Sequence, residues 1–384
     1  MAGLYIHIPF CLQKCRYCDF VSYTDMSLAE RYCHALIREM AQYGETMRDK
    51  VIETVFIGGG TPSALEGEAI AAVLGEVGKR FSLCADVEVT IECNPCTVTP
   101  DKLRRYADAG VNRISLGCQS THDDILSSIG RLHNAAGFER ALENVLRAGF
   151  ENINVDVMYG LPGQTVVRFA ETVEHIASLP IAHISAYSLI LEPGTPLYES
   201  VQSGATTLPD DEVTADMQDD CIQRLEARGF TRYEVSNFSR AGCECRHNLN
   251  YWRNGEYLGV GAAAHSALRL SGWTRFSNTP DLGDYIAAVT ASGRAVVDER
   301  AITSREERFE GLMLGLRMAC GVALDEFAAR YGVTAREAAC GAIEALEGRA
   351  LLVEEGGSIR ATARGMDLLN VIDEELYAMM KPSA

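Results

Sequence analysis

Short apolar runs alternate with amphipathic segments through the first 230 residues of the chain. The runs predict strands, and the segments, with apolar residues three and four positions apart, predict helices. The predicted strands are Leu4–His7, Thr54–Ile57, Val87–Glu92, Arg113–Gly117, Asn154–Tyr159 and His183–Leu189. The predicted helices are Leu28–Tyr43, Ala69–Phe81, Leu103–Ala109, Ala136–Ala148 and Phe169–Ser178. This alternation with short loops indicates parallel βαβ units.

About six such units fit before residue 230, fewer than the eight of a closed (β/α)8 barrel. We therefore predict an α/β fold built on a partial, open (β/α)6 barrel. Functional groups of such folds gather at the carboxyl ends of the strands.

The pattern changes beyond residue 230, where Tyr233–Phe238 predicts one more strand. The last part of the chain predicts three helices, a short hairpin and a final helix, the arrangement of a small helical, winged-helix-like domain. The three helices are predicted at Glu307–Arg317, Ala323–Tyr331 and Thr334–Glu347. We divide the chain into a core (1–235), an extension (236–300) and a C-terminal helical domain (301–384).

Acidic residues outnumber basic ones by 53 to 35, which gives a formal net charge of −18. Such a charge repels phosphate backbones, so we expect no nucleic-acid partner. No stretch approaches the ~18–20 apolar residues of a membrane span. The amino terminus lacks the basic and apolar regions of a signal peptide, and we expect a cytoplasmic protein with no transmembrane segment.

Three of the thirteen cysteines, Cys11, Cys15 and Cys18, share one loop directly after the first predicted strand. A structural zinc site, the alternative, normally takes four protein ligands. Four-iron clusters ordinarily take four cysteines, and Phe20 occupies a plausible fourth position. Three ligands leave one iron open to a small molecule, so we predict a [4Fe–4S] cluster. Four other cysteines raise the alternative of a second metal site: Cys93, Cys96, Cys243 and Cys245.

Further polar groups and glycines follow the predicted strands. The glycine-rich loop at Gly58–Pro62 lets the backbone approach a charged ligand, although an ordinary tight turn would have the same composition. Glu92 ends a predicted strand, where its carboxylate suits a ribose or an amino group. Asp156 lies in an apolar strand, where an unpaired carboxylate is costly, and this predicts a ligand or an arginine partner.

The C-x3-C-x2-C spacing, with Tyr17 before the third cysteine, resembles the radical S-adenosylmethionine superfamily. The resemblance implies that the open iron binds S-adenosylmethionine, and that Gly58–Pro62 corresponds to a segment binding the methionyl end of that cofactor. Carried over by motif, the implied cofactor contacts are Tyr5, Gly59, Gly60, Thr61, Glu92, Gln119, Arg131 and Asp156.

Leu4–Cys11 and Tyr159–Gly163, with the glycine loop, resemble the branch that contains oxygen-independent coproporphyrinogen III oxidase. That oxidase has a further cysteine two residues after the third cluster ligand, where this chain has Phe20. The segment His247–Trp252 (HNLNYW) resembles instead the haem-chaperone family HemW. This resemblance implies that haem is bound as cargo and delivered to acceptor haemoproteins such as respiratory components, including membrane-associated ones. The oxidase is the alternative function.

The residues themselves leave the haem ligand open. His247 suits an axial ligand by type, and a structural histidine is its alternative. Cys245, just before the HN pair, is the second candidate. Cys243 and His265 are further candidates. The neighbouring Tyr251 and Trp252 would pack either on a porphyrin or in the core.

Overall fold

The computed structural model describes residues 2–380. Its centre is a run of six parallel strands in which each strand pairs with the next along the chain. These strands are β1 (Ala2–Ile8), β2 (Val51–Gly59), β3 (Ser82–Cys93), β4 (Arg113–Gln119), β5 (Asn152–Tyr159) and β6 (His183–Ser188). The predicted α/β class with about six parallel βα units is therefore confirmed.

Helices connect these strands and cover the outer face of the sheet. Helix α5 shows the pattern, because its buried residues recur every three or four positions: Phe138, Ala141, Leu142 and Val145. Side-chain caps fix several helix starts, for example at Asn134 before α5 and Thr165 before α6. The helices are α1 (Ala29–Tyr43), α2 (Gly67–Arg80), α3 (Pro100–Asp108), α4 (Asp123–Ser128), α5 (Ala135–Arg147), α6 (Val166–Ala177), α7 (Pro196–Gln202) and α8 (Asp211–Ala227).

Further strands widen the sheet on both sides, to the order β12-β11-β10-β9-β1-β2-β3-β4-β5-β6-β8-β7. Strand β9 runs parallel to β1, and β10 to β12 follow as antiparallel neighbours. These strands are β7 (Thr231–Arg232), β8 (Asn237–Ser239), β9 (Tyr257–Val260), β10 (His265–Arg269), β11 (Trp273–Asn278) and β12 (Val296–Ala301). Two helices lie in the same region, α9 (Arg246–Trp252) and α10 (Leu282–Ser292).

The predicted strand at Tyr233–Phe238 is wrong, because the segment turns back on itself between β7 and β8. The Arg232 guanidinium donates to the backbone oxygens of Glu234 and Val235, at 3.3 and 2.7 Å. The Glu234 carboxylate in turn accepts from the backbone N–H of Ser236 at 3.2 Å. These bonds hold a hairpin where the apolar pattern suggested continuous extension.

The C-terminal segment packs as helices around a three-stranded sheet. Its helices are α11 (Ser304–Gly315), α12 (Leu324–Tyr331), α13 (Ala335–Ala339), α14 (Ala342–Gly348), α15 (Ala363–Asp367) and α16 (Leu369–Met379). Its strands are β13 (Val322–Ala323), β14 (Leu352–Glu355) and β15 (Ser358–Ala361). The single helix predicted at Thr334–Glu347 is wrong, since Cys340 (φ 56°) and Gly341 (φ 90°) adopt the left-handed conformation that ends a helix.

Two of the four hydrophobic clusters among residues 2–380 are large enough to form the cores of the protein. The larger lies between the wide sheet and its helices and draws its buried residues from positions 2 to 295. The smaller is confined to positions 312 to 380. Within residues 2–380, no helix combines the length and apolar character needed to cross a membrane.

Candidate functional site

A cavity of about 420 Å³, called the central cavity below, lies at the carboxyl ends of the parallel strands. It contains the three predicted cluster cysteines and every predicted cofactor contact except Tyr5. The predicted residues on its wall are Cys11, Cys15, Cys18, Gly59, Gly60, Thr61, Glu92, Gln119, Arg131 and Asp156. These residues come from five of the six parallel strands, β1 to β5, and the loops after them, and they converge as strand order predicts.

The cysteine loop is held by its own backbone. Cys11 N–H donates to the carbonyl of Tyr23 at 3.0 Å, and Cys18 N–H donates to that of Cys15 at 3.3 Å. The Thr61 hydroxyl lies 3.4 Å from the Cys11 sulfur, and Arg131 Nη1 lies 3.7 Å from the Cys15 sulfur. Hydroxyl and guanidinium groups at these distances stabilise thiolates.

Burial raises the pKa of the Cys11 and Cys18 thiols. A bound metal centre reverses this effect, because it takes thiolates as ligands. Within residues 2–380, no three Cys, His, Asp or Glu side chains are gathered closely enough to hold a single metal ion. Cys11, Cys15 and Cys18 on one cavity wall are cysteine thiols, the ligand type that iron–sulfur clusters take.

The glycine loop after β2 requires glycine for steric reasons. Gly59 has a φ of 109°, and a Cβ there would lie 2.5 Å from the His7 ring. At Gly60 a Cβ would lie 2.8 Å from the carbonyl oxygen of Phe10, just before the cysteine loop. The two loops therefore pack backbone against backbone, which an ordinary isolated turn does not require.

Two of the carboxyl groups that line the central cavity belong to predicted cofactor contacts, Glu92 and Asp156. Burial raises the pKa of Glu92 to about 8, and the neighbouring Asp156 adds to the shift. Glu92 Oε2 accepts from the backbone N–H of Gly59 at 3.1 Å. The pKa of Asp156 is also raised by burial. Its oxygens accept from Asn154 Nδ2 at 2.7 Å and from the Ser115 hydroxyl at 3.4 Å, and the positive charges of Arg113 and Arg131 oppose the rise in its pKa.

Gln119 is buried and has a φ of 68°, which a residue with a side chain rarely adopts. Such strain is typical of positions where the backbone is held for function. Its Oε1 accepts a hydrogen bond from the Tyr187 hydroxyl at 3.2 Å. The sequence interpretation missed Tyr187, Ser115 and Met158, which also line this cavity. Tyr187 and Met158 could have been predicted, because they lie near the carboxyl ends of predicted strands.

A second cavity of about 840 Å³, called the side cavity below, adjoins the central one. Phe20, 62% exposed, and Glu92 belong to the walls of both cavities. Tyr5 lines the side cavity, and its hydroxyl lies 3.0 Å from Nδ1 of His7. Tyr5 is thus the one predicted cofactor contact that the fold places outside the central cavity.

The haem-ligand candidates fall in different places. His247 is buried at 1% exposure, and its ring nitrogens share hydrogen bonds with Thr54 Oγ1 and the Tyr251 hydroxyl, both at 2.8 Å. Burial lowers the pKa of His247 to about 3. Cys245 is fully buried, its thiol donates to Glu88 Oε1 at 3.7 Å, and burial raises its pKa to about 12.

Neither His247 nor Cys245 lines either cavity, and neither does Cys243. His265 has an exposed side chain and lines the side cavity. Tyr251 also lines that cavity, whereas Trp252 does not. The structure therefore brings one candidate haem ligand, and one aromatic residue of the HNLNYW segment, to a cavity.

Comparison with known proteins identifies relatives along the whole chain. Residues 5–176 match the Radical SAM superfamily, and residues 302–368 match the HemN C-terminal domain. The heme chaperone HemW of Bacillus subtilis is 39% identical over 334 residues, 86% of this chain and 87% of the relative. The heme chaperone HemW of Haemophilus influenzae is 35% identical over 380 residues, 97% of each chain.

Among solved structures, coproporphyrinogen III oxidase (HemN) from Escherichia coli, a radical SAM enzyme, superimposes with a TM-score of 0.83. The match covers 98% of this chain and 89% of the oxidase, at 22% sequence identity. At that identity the likeness establishes a common fold, including the C-terminal domain.

Proposed function

Because the chain belongs to the HemW family of radical SAM proteins, we propose that it is a haem chaperone. In this proposal it binds a [4Fe–4S] cluster, S-adenosylmethionine and haem, and it delivers the haem to acceptor haemoproteins in or facing the cytoplasm. The observation that carries the proposal is the central cavity, which collects three cysteines and the glycine loop at one edge of the sheet.

Cys11, Cys15 and Cys18 would hold the cluster, and the Arg131 guanidinium beside Cys15 would offset thiolate charge. When bound, the cluster supplies an electron for reductive chemistry on S-adenosylmethionine. The Thr61 hydroxyl near the Cys11 sulfur would donate a hydrogen bond that lowers the electron density on that ligand.

S-adenosylmethionine would occupy the rest of the central cavity. Gly59 and Gly60 let the backbone approach its methionyl end, since neither carries a Cβ. Glu92 and Asp156 would accept hydrogen bonds from its amino and ribose groups, and the positive charge of the cofactor would favour their ionised forms. Gln119 and Arg131 complete this wall. Tyr5 remains a proposed cofactor contact. It lines the side cavity, and Glu92, which lines both cavities, would connect it to the cofactor.

Phe20 and the HNLNYW segment favour the chaperone over the oxidase. An anaerobic assay with dithionite, S-adenosylmethionine and coproporphyrinogen III distinguishes the two functions. We expect no robust protoporphyrinogen formation, and its appearance would replace the chaperone with the oxidase. For the chaperone, hemin is titrated into the cluster-loaded protein, and saturable binding followed by transfer to an apo-haemoprotein is expected. Absence of saturable binding rejects the proposal.

The cluster assignment has its own test. Anaerobic reconstitution with iron and sulfide should give about four irons and four sulfides per chain. Cys15→Ala should lose most of this content, because Cys15 lines the central cavity. Cys243→Ala is the matched control and should retain it, since Cys243 lines neither cavity. Equal loss in both variants would mean that the cluster lies elsewhere.

We also propose that the chain divides functionally into the core (1–235), the extension (236–300) and the C-terminal domain (301–384). The separate hydrophobic core of positions 312 to 380 supports the last boundary. The extension contributes α9 and strands β9 to β12, and together with the loops between them these elements supply eight of the 18 residues on the wall of the side cavity.

A further inference from the structure

The side cavity is large and has chemically mixed walls. Its 840 Å³ lies in the upper part of the range of about 300–1,000 Å³ found for small-molecule and cofactor sites. Tyr251, Tyr257, Met313 and Leu314 supply aromatic and apolar surface. Such a wall suits a flat, largely apolar ligand.

Two arginines on the same cavity suit the carboxylates of such a ligand. Arg275 donates to Glu310 Oε2 at 3.0 Å, while its buried Nε has no hydrogen-bond partner among residues 2–380. Arg300 is half-exposed and donates to Glu306 Oε1 at 2.8 Å. Both guanidinium groups keep N–H donors for a carboxylate.

His265 is the histidine of this cavity whose ring is free. It stands at the start of β10 with an exposed side chain, and its ring makes no hydrogen bond within the described part of the chain. His7, the other histidine on the wall, already shares hydrogen bonds with the Tyr5 hydroxyl at 3.0 Å and with the carbonyl of Val21 at 3.2 Å. Only a ring nitrogen with a free lone pair binds iron.

His247 is closed to iron in this fold. Both of its ring nitrogens are engaged, and its ring stacks on Phe56 with 5.2 Å between centroids. It lies beside Gly3, which pairs with Thr54 in the first half of β1, away from the carboxyl ends that carry the cysteine loop. Iron coordination at His247 would require α9 to leave the sheet.

We propose that the side cavity is the haem site and that His265 is an axial ligand of the haem iron. Tyr251 of the HNLNYW segment forms part of the porphyrin wall, and Arg275 and Arg300 bind the propionates. His247 positions Tyr251 through the hydrogen bond to its hydroxyl and does not touch the iron. This inference rests on the proposed haem-chaperone function and assigns its cargo site.

The test compares hemin titrations of the full-length cluster-loaded protein and its variants by absorption spectroscopy. His265→Ala should shift the Soret band and weaken hemin binding about tenfold or more. Exogenous imidazole should restore the spectrum of this variant, which shows that the cavity is still formed. His247→Gln, which retains hydrogen-bonding capacity, should keep the parent spectrum. His34→Ala, at an exposed histidine of α1, is the matched control and should also keep it.

Titration with metal-free protoporphyrin IX distinguishes iron coordination from the fit of the porphyrin in the side cavity. This porphyrin should bind the parent protein and His265→Ala equally, because no iron is present to lose its ligand. If His265→Ala has the same Soret band and the same hemin affinity as the parent protein, His265 is not the ligand. Saturable hemin binding by the parent protein would still support the chaperone function in that case. Spectral loss in His247→Gln with retention in His265→Ala would also overturn the assignment of His265. Failure of the parent protein to bind hemin would reject the proposed function itself.

Discussion

At the scale of single residues, Glu39 ties the loop before His265 to two helices. Its Oε2 accepts from the Tyr285 hydroxyl at 2.7 Å and from the backbone N–H of Gly261 at 2.8 Å. Its Oε1 accepts from Asn278 Nδ2 at 2.6 Å. Burial nevertheless raises the pKa of Glu39 to about 7, since desolvation outweighs these bonds.

This raised pKa predicts a pH-dependent stability. Between the ordinary carboxyl pKa of 4.5 and about 7, the folded protein holds on Glu39 a proton that the unfolded chain has lost. The free energy of unfolding should therefore fall as the pH rises through this window and level off above it. Glu39→Gln cannot ionise and should lose this part of the slope.

Urea unfolding at a series of pH values between 4.5 and 8 measures the effect. The comparison concerns the slope, because the amide also changes the absolute stability. Glu30→Gln, at an exposed carboxylate of the same helix α1, is the control and should keep the parent slope. An identical slope in Glu39→Gln and the parent protein would contradict the argument.

At the scale of elements, the cysteine loop and the glycine loop form one unit. Thr61 N–H donates to the carbonyl of Phe10 at 2.7 Å, and Gly60 N–H donates to that of Ile8 at 2.9 Å. The loop after β2 is thus hydrogen-bonded to the end of β1. Two motifs separated by 39 residues in sequence are therefore joined by backbone hydrogen bonds.

The end of α14 provides a test of backbone conformation in the C-terminal domain. Ala350 is exposed and has a φ of 55°, two residues after Gly348, the last residue of the helix. Ala350→Gly should stabilise this domain by about 0.5–1 kcal/mol, because glycine adopts the left-handed conformation without strain. The same change at Ala329, exposed within α12, should destabilise it by about 1 kcal/mol.

Thermal and denaturant unfolding of both variants measures the difference. The opposite signs matter, because the chemical change is identical and both side chains are exposed. Destabilisation of similar size in both variants would show that Ala350 is not under backbone strain.

At the scale of the whole molecule, the C-terminal domain contacts the side cavity and the loop beside it. Arg330 on α12 donates to the backbone carbonyls of Arg253 and Asn254, at 2.7 and 2.5 Å. Helix α11 adds Glu310, Met313 and Leu314 to the cavity wall. The C-terminal domain therefore helps to shape the side cavity, whose other lining residues lie between positions 5 and 300.

Arg330→Ala should loosen this connection. We expect faster amide hydrogen exchange in residues 253–257 and weaker hemin binding, because the loop loses two charge-assisted hydrogen bonds. Hydrogen exchange of residues 253–257 is measured by mass spectrometry. Arg364→Ala, on α15, is the control and should leave the exchange rates of this loop unchanged. Unchanged exchange in Arg330→Ala would mean that other contacts hold the loop.

Much of the fold follows from local pattern. The six parallel strands were predictable because a buried strand is a short apolar run, and the run is visible without its partners. Strand β12 was missed because it is mostly exposed and has no buried apolar run, and β10 was missed because it has only five residues and follows a glycine- and alanine-rich stretch. The hairpin at β7 and β8 was misassigned because its turn depends on side-chain hydrogen bonds. The break at Cys340 and Gly341 was missed although Gly341 signals a possible helix end, because the apolar periodicity continues across it.

The cysteine loop, the glycine loop and the family followed from residue types and spacing alone, because these motifs are contiguous in sequence. Which histidine faces a cavity was decided only by the tertiary structure. Packing of α9 on β1 and β2 buries His247, where Gly3 leaves room for its ring, while the start of β10 leaves His265 exposed on the side cavity. Burial is a property of the assembled elements, and it determines whether an imidazole can reach a ligand.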